Sequence, residues 1–267
     1  MGKKINIFST WPLELRAQVA IFIRECRKRD RGEATLEVPW LSQTRNLDEY
    51  CNRLEVSKDF IEAFLESRIH QQGEASVLDV GVGKGGALQN LHSRFGDSIH
   101  LEGIGLSFAS FKLENYQHRV GLIEALPLPE NYFDLIFSVR GGFAYTLHSF
   151  AALENVLNSL RKGGMAFLED SRLLLTQEWF RDYLKNHHFE VEETRYQEGL
   201  PVAFKLIKLS DQKMDFHLLS ERYASLINGH EKIFQQWGFD RIRKDSPLNA
   251  LFQELYSLAH YKDLIIS

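Results

Sequence analysis

The sequence predicts an α/β protein built on a doubly wound, mostly parallel sheet, with helical additions at both ends. Three observations carry that expectation. Short apolar runs alternate with helical stretches through residues 75–208. One of those runs, 76–80, passes directly into a glycine cluster and then into a helical pattern. The flanking segments, 11–70 and 211–267, show helical periodicity without strands.

Along the chain, Trp11-Pro12 marks a helix start, and residues 13–24 form a dense apolar run broken at helical intervals. Ser57 is suited to cap a further helix, with Asp59 in its first turn. Phe60 and Phe64, then Ile61, Leu65 and Ile69, recur at spacing four and predict one apolar face. Strands are expected at 76–80, 100–104, 133–137 and 165–168, with a helix resuming at Leu88. Between the last two strands, Phe150, Leu153, Val156, Leu157 and Leu160 make a helical stripe, with Gly163-Gly164 as its stop. Thr176 is placed to cap a helix that faces inward through Trp179, Phe180, Tyr183 and Leu184, and His187-His188 read as its end. Residues 189–195 and 203–207 alternate polar and apolar, as strands do.

Beyond residue 210 the pattern returns to helix. Phe216, Leu219, Tyr223 and Leu226 recur at spacings of three and four, and Ser246-Pro247 pairs an N-cap with a first-turn proline. Leu248, Leu251, Phe252, Leu255 and Leu258 follow as one stripe. The expected division is a helical cap at 1–70, an α/β core at 71–209 and a helical extension at 210–267. The two helical regions either pack together or form a homodimer interface.

Composition bounds the function. Of 267 residues, 44% are hydrophobic and the net charge is −4. No run approaches the ~20 apolar residues of a membrane span, and the N-terminus lacks both a signal-peptide core and a myristoylation pattern. Cys26 and Cys51 are too few for a disulfide framework or a cysteine-based zinc site. A cytoplasmic location with no membrane partner and no metal is therefore expected. Net acidity argues against duplex DNA, so no nucleic-acid partner is expected either. Residues 1–32 carry +5 and the remainder −9. The basic cluster at 24–31 reads as the solvated end of a surface helix, with an anionic partner as the alternative.

The informative segment is Val77-Leu78-Asp79-Val80-Gly81-Val82-Gly83-Lys84-Gly85-Gly86-Ala87. Glycines let the chain turn sharply and let a ligand approach bare backbone, while the following helix offers unpaired N–H donors. The spacing alone is ambiguous, because 81, 83 and 86 fit a dinucleotide fingerprint whereas 81, 83 and 85 fit G-x-G-x-G. Asp79 argues against the first, since a carboxylate there would repel pyrophosphate and instead suits a ligand with a cationic head. The second strand, ending Gly103-Ile104-Gly105-Leu106-Ser107, also lacks the acid that NAD-type recognition wants.

These residues resemble the class I S-adenosylmethionine-dependent methyltransferases over 75–208. Residues 79–85 match the family's first motif. Residues 103–107 are similar to the end of its second strand, 126–136 (Leu-Pro-Leu-Pro through Phe-Asp-Leu-Ile) to the run into its fourth, and 160–164 (Leu-Arg-Lys-Gly-Gly) to the turn before its fifth. The resemblance implies a Rossmann-like, seven-stranded sheet, S-adenosyl-L-methionine as cofactor, and methyl transfer to a small-molecule acceptor. It implies a cofactor set of Asp79, Gly81, Gly83, Gly85, Gly105, Leu106, Ile123, Glu124 and Ser138. Acceptor groups are implied just after the fourth strand, with His148 as candidate base beside Tyr145, Arg140 to meet an acidic substrate and Phe143 as pocket wall.

Plainer readings stand beside these: a cap on the glycine turn for Asp79, a helix-start residue for His148, a salt bridge for Arg140. The sequence also departs from the family. Gly105 stands where members usually hold a ribose-binding acid, and Leu122 where many hold an Asp near the adenine. Losing a charged bidentate acceptor costs ~1.5–3 kcal/mol, or about tenfold to a hundredfold in affinity. A catalytically altered or inactive ligand-binding relative is therefore the alternative, and another cofactor enzyme such as a dehydrogenase is a third.

Overall fold

The computed structural model describes residues 45–105, 113–120, 123, 126–139, 143, 149–170, 175–176, 178–195 and 202–216. Helix α1, Leu47–Leu54, opens on a reciprocal cap: Asn46 accepts from the Glu49 N–H while the Glu49 carboxylate accepts from the Asn46 N–H, both at 2.8 Å. Helix α2, Lys58–Gln72, starts on Ser57, whose hydroxyl accepts from the Phe60 N–H, as expected. It stops at Gly73 with φ +86°. Its inward row is Ile61 and Leu65; Phe60, expected on the apolar face, is 40% exposed and lies near the Lys205 amine.

The remaining elements are β1 (Ala75–Val80), α3 (Gly86–Phe95), β2 (Ile99–Gly105), β3 (Tyr116–Val120), β4 (Phe133–Ser138), α4 (Ser149–Ser159), β5 (Leu160–Asp170), α5 (Glu178–Asn186), β6 (Phe189–Arg195) and β7 (Val202–Lys208). They form one seven-stranded sheet in the order β3-β2-β1-β4-β5-β7-β6. Only β7 runs antiparallel to its neighbours β5 and β6. Every residue of β1 and β4 is buried, as expected of central strands covered on both faces. The predicted doubly wound sheet is the one observed.

Apolar side chains gather on both faces. One cluster joins α1, α2 and α3 to Val77, Leu101, Leu135, Phe137 and Phe167. The other joins α4 and α5 to Leu78, Val80, Ile136, Leu168 and Phe204. At the edge of the second, Lys208 is buried and its ammonium donates to Asn131 Oδ1 (2.7 Å), Leu157 O (3.1 Å) and Leu160 O (2.9 Å). That satisfies all three donors and offsets the cost of burying the charge.

Two local expectations are corrected. Helix α4 ends at Ser159, before Gly163-Gly164, and Leu160 already pairs with Phe133 as the first residue of β5. The glycines instead sit in an irregularity between that pair and Leu135–Met165, with Gly163 at φ +72°. Residue 164 admits no side chain, because a Cβ would stand 2.8 Å from Arg161 O and 2.9 Å from Asp134 O. The Thr176 carbonyl, ahead of α5, accepts from Arg181 Nη1 at 2.7 Å. Residues 209–216 are not helical: Phe216 is buried in the core, and Asn158 clasps the Met214 backbone through both its N–H and its carbonyl. The helices expected at 11–24 and beyond residue 216 lie outside the described residues.

Candidate functional site

β1 delivers Asp79 to the carboxyl end of the sheet, in register with Gly103 on β2 and Phe137 on β4. Its side chain is fully buried. Oδ2 accepts a 2.9 Å hydrogen bond from the Tyr50 hydroxyl of α1, while buried Oδ1 has no hydrogen-bond partner among the described residues. Burial pushes the Asp79 carboxyl up to about 7, against the Tyr50 hydrogen bond and the Arg45 charge, which both favour the carboxylate. Burial, and then the Asp79 charge, in turn hold the Tyr50 phenol well above its ordinary range.

The turn after β1 requires its glycines at three alternating positions. Gly81, Gly83 and Gly85 have φ of +95°, +55° and +70°, whereas Gly86 already belongs to α3. These are the positions of the G-x-G-x-G spacing, each in the left-handed region that favours glycine. The N–H groups of Gly81 and Val82 donate to Ile104 O at 2.7 and 3.1 Å, which fastens the turn to β2. Gly85 caps α3 without a side-chain hydrogen bond, so the first-turn N–H groups of that helix receive no help from their cap residue. A buried carboxylate with a spare oxygen, bare backbone and a helix start thus meet within seven residues. That donor set accommodates a ligand carrying both a cationic and an anionic group.

β2 ends at half-buried Gly105, beside Val120 of β3. Glu102 does not supply the acid that Gly105 lacks. It alternates to the other face from Gly103 and is held by Arg119, Nε to Oε1 at 2.5 Å and Nη2 to Oε2 at 3.2 Å. Arg119 also donates to Pro127 O at 2.7 Å. On Asp79's own face, Tyr116 lies over bare Gly103 with its hydroxyl 2.6 Å from His118 Nδ1.

The structure therefore brings Asp79, Gly81, Gly83, Gly85 and Gly105 to one end of the sheet. Ser138 reaches the same end, yet it follows Phe137, so its side chain alternates to the opposite face from Asp79; its hydroxyl is buried without a partner among the described residues. Ile123 and Phe143 are buried in the cluster around α4, and the Ile123 carbonyl accepts from Asn155 at 2.7 Å. Leu106, Leu122, Glu124, Arg140, Tyr145 and His148 lie outside the described residues.

Sequence reasoning missed the contribution of α1. Besides the Tyr50 contact, Arg53 pairs with Glu169 near the end of β5 at 2.5 Å, with side chains 17% and 2% exposed. Leu47 N donates to Asn90 of α3 at 2.9 Å, and Arg45 reaches Val139 O at 3.4 Å. The signal was available in Asn46-Leu47-Asp48-Glu49, a capping box followed by Tyr50 and Leu54 on the Leu47 face.

Among the described residues no helix is long and apolar enough to cross a membrane, and no group of three His, Cys, Asp or Glu side chains is placed to hold a metal ion.

Residues 77–164 match the family model of a methyltransferase domain. An uncharacterized methyltransferase of Bacillus subtilis (strain 168), YdaC, is 32% identical over 100 residues, covering 34% of this chain and 53% of that protein. The chain thus spans about half the length of the curated relative it matches. Among solved structures, similarity extends to a geranyl diphosphate C-methyltransferase from Streptomyces coelicolor A3(2), at 13% identity and TM-score 0.36 over 73% of this chain and 97% of that one. A Haemonchus contortus phosphoethanolamine N-methyltransferase 2 is 15% identical at TM-score 0.36, over 95% of this chain and 55% of that one. The matched residues 77–164 run from β1 to the first residues of β5, so the likeness to a methyltransferase domain falls on the central part of the sheet, including Asp79 and the 81–85 turn.

Proposed function

We propose that this chain binds S-adenosylmethionine at the carboxyl ends of β1 and β2 and transfers its methyl group to a small-molecule acceptor. The observation that carries the reading is Asp79: a wholly buried carboxylate with one oxygen unspent, beside three left-handed glycines. An isolated buried carboxylate is costly, and a cationic amino group is the partner that would offset that cost. Bound there, S-adenosylmethionine supplies a methyl group activated by a sulfonium charge. The chain's own tasks are to hold the ligand's amino acid end through Asp79 and the 81–85 backbone, to exclude water and to orient the acceptor.

In the same reading Ser138, Ile123, Glu124 and Leu106 border the cofactor, His148 with Tyr145 handles the acceptor proton, and Arg140 and Phe143 meet the acceptor. In this reading the enzyme is cytoplasmic and acts on neither nucleic acid nor membrane. Incubating the protein with methyl-labelled S-adenosylmethionine and a deproteinised cell extract tests the reading. Label appearing in a discrete small molecule supports it, and label confined to the cofactor contradicts it.

One observation favours a second reading. With Gly105 bare and Glu102 committed to Arg119, the described residues offer no carboxylate for ribose hydroxyls. A ligand-binding relative without transfer activity would bind the cofactor weakly and label nothing in the same extract.

A further inference from the structure

We propose that Tyr50 is a positioning residue of the ligand site: its hydroxyl holds one oxygen of Asp79 so that the other is left for the ligand's ammonium group. The proposal rests on the reading of the site given above and adds a residue from outside the matched domain, since 50 lies ahead of residues 77–164.

The geometry is specific. Tyr50 is 1% exposed, and its hydroxyl donates 2.9 Å to Oδ2 while Oδ1 receives nothing among the described residues. Its ring is fixed edge-on against Phe137, centroids 5.7 Å apart, on the strand next to Asp79. The helix that carries it is tied down independently by Arg53 on Glu169 and by the Leu47 N–H on Asn90. The hydroxyl is therefore delivered from a rigid element, and the hydrogen bond it makes favours the charged form of Asp79. Buried polar atoms are normally hydrogen-bonded, so the oxygen that Tyr50 leaves over marks the place for a further donor.

The groups facing Asp79 bear on how it titrates. Tyr50 and Arg45 favour the carboxylate, burial opposes it, and Tyr116 and Glu169 stand close enough to feel or modify the same field. Below neutrality the carboxylate takes up a proton that an incoming ammonium must displace, and affinity drops up to tenfold per pH unit. Without the Tyr50 hydroxyl that drop begins at higher pH.

The test is calorimetric titration of the native protein and Y50F with S-adenosylhomocysteine, and with 5′-methylthioadenosine, which shares the nucleoside but lacks the amino acid tail. The proposal expects about tenfold weaker S-adenosylhomocysteine binding by Y50F at pH 7, methylthioadenosine affinity unchanged within twofold, and an upward shift in the pH at which S-adenosylhomocysteine affinity falls. Equal losses for both ligands, no loss for either, an unshifted pH profile, or a Y50F chain that no longer folds would each overturn it. A native protein that binds neither ligand overturns the underlying reading of the site, whereas a native protein that binds S-adenosylhomocysteine and a Y50F that binds it equally overturns only the role of Tyr50.

Discussion

A Cβ on Gly103 would stand 2.6 Å from the Tyr116 hydroxyl and 2.9 Å from a methyl of Val82. The bare strand position is what lets β3 lean its tyrosine against the start of the glycine turn, on the same face as Asp79. Gly103→Ala should therefore destabilise the fold by about 1–3 kcal/mol through overpacking. Tyr116→Phe in that background, by removing the closest atom, should restore part of the loss. Urea denaturation of the two single variants and the double variant measures the coupling; strictly additive effects would contradict the contact.

Asp79 makes stability depend on pH. Its carboxyl is raised from the usual carboxylate range to about 7, so between about pH 4 and 7 the folded chain holds a proton that the unfolded chain has released. Stability is accordingly lost as pH climbs through that window and levels off above it. Between pH 5 and 8 the native protein should lose about 2–3 kcal/mol relative to Asp79→Asn, at ~1.4 kcal/mol per unit. Parallel denaturation curves at the two pH values would contradict the assignment.

Lys208 separates fold from site. Replacing it with Met leaves Asn131 and the carbonyls of Leu157 and Leu160 without their shared donor, at about 2–4 kcal/mol. The variant should melt lower yet bind S-adenosylhomocysteine with native affinity wherever it remains folded. Weakened binding in proportion to lost stability would contradict that separation.

His148→Ala should lower turnover about a hundredfold or more if His148 accepts the acceptor's proton. Cofactor affinity, read by calorimetry, should stay within twofold of native. Unchanged turnover would remove the residue from the proposed chemistry.

The central strands were legible because a buried strand leaves few choices. Residues 76–80 and 133–137 read as apolar runs, and both are buried on every residue. Strand β3 was not located among the residues, because Tyr-Gln-His-Arg-Val at a sheet edge carries neither a continuous apolar run nor clean alternation. The helix stop at Gly163-Gly164 misled for a related reason: positive φ marks a bend, and a bulge in a strand satisfies it as well as a helix end does.

At the site, glycine chemistry identified the turn at 81–85, and the carboxylate before it stood out as costly. Tyr50 and the pair Arg53–Glu169 were not legible. They meet the site across 29 and 116 residues, and such pairings depend on how helices dock on the sheet.

The most direct measurement is calorimetric titration of S-adenosylhomocysteine into the native chain and Asp79→Ala at pH 8, where the carboxylate is ionised. The account predicts one site per chain with micromolar affinity, and a loss of about a hundredfold in the variant. Absence of binding to the native protein at millimolar ligand, or equal binding by both proteins, would contradict it.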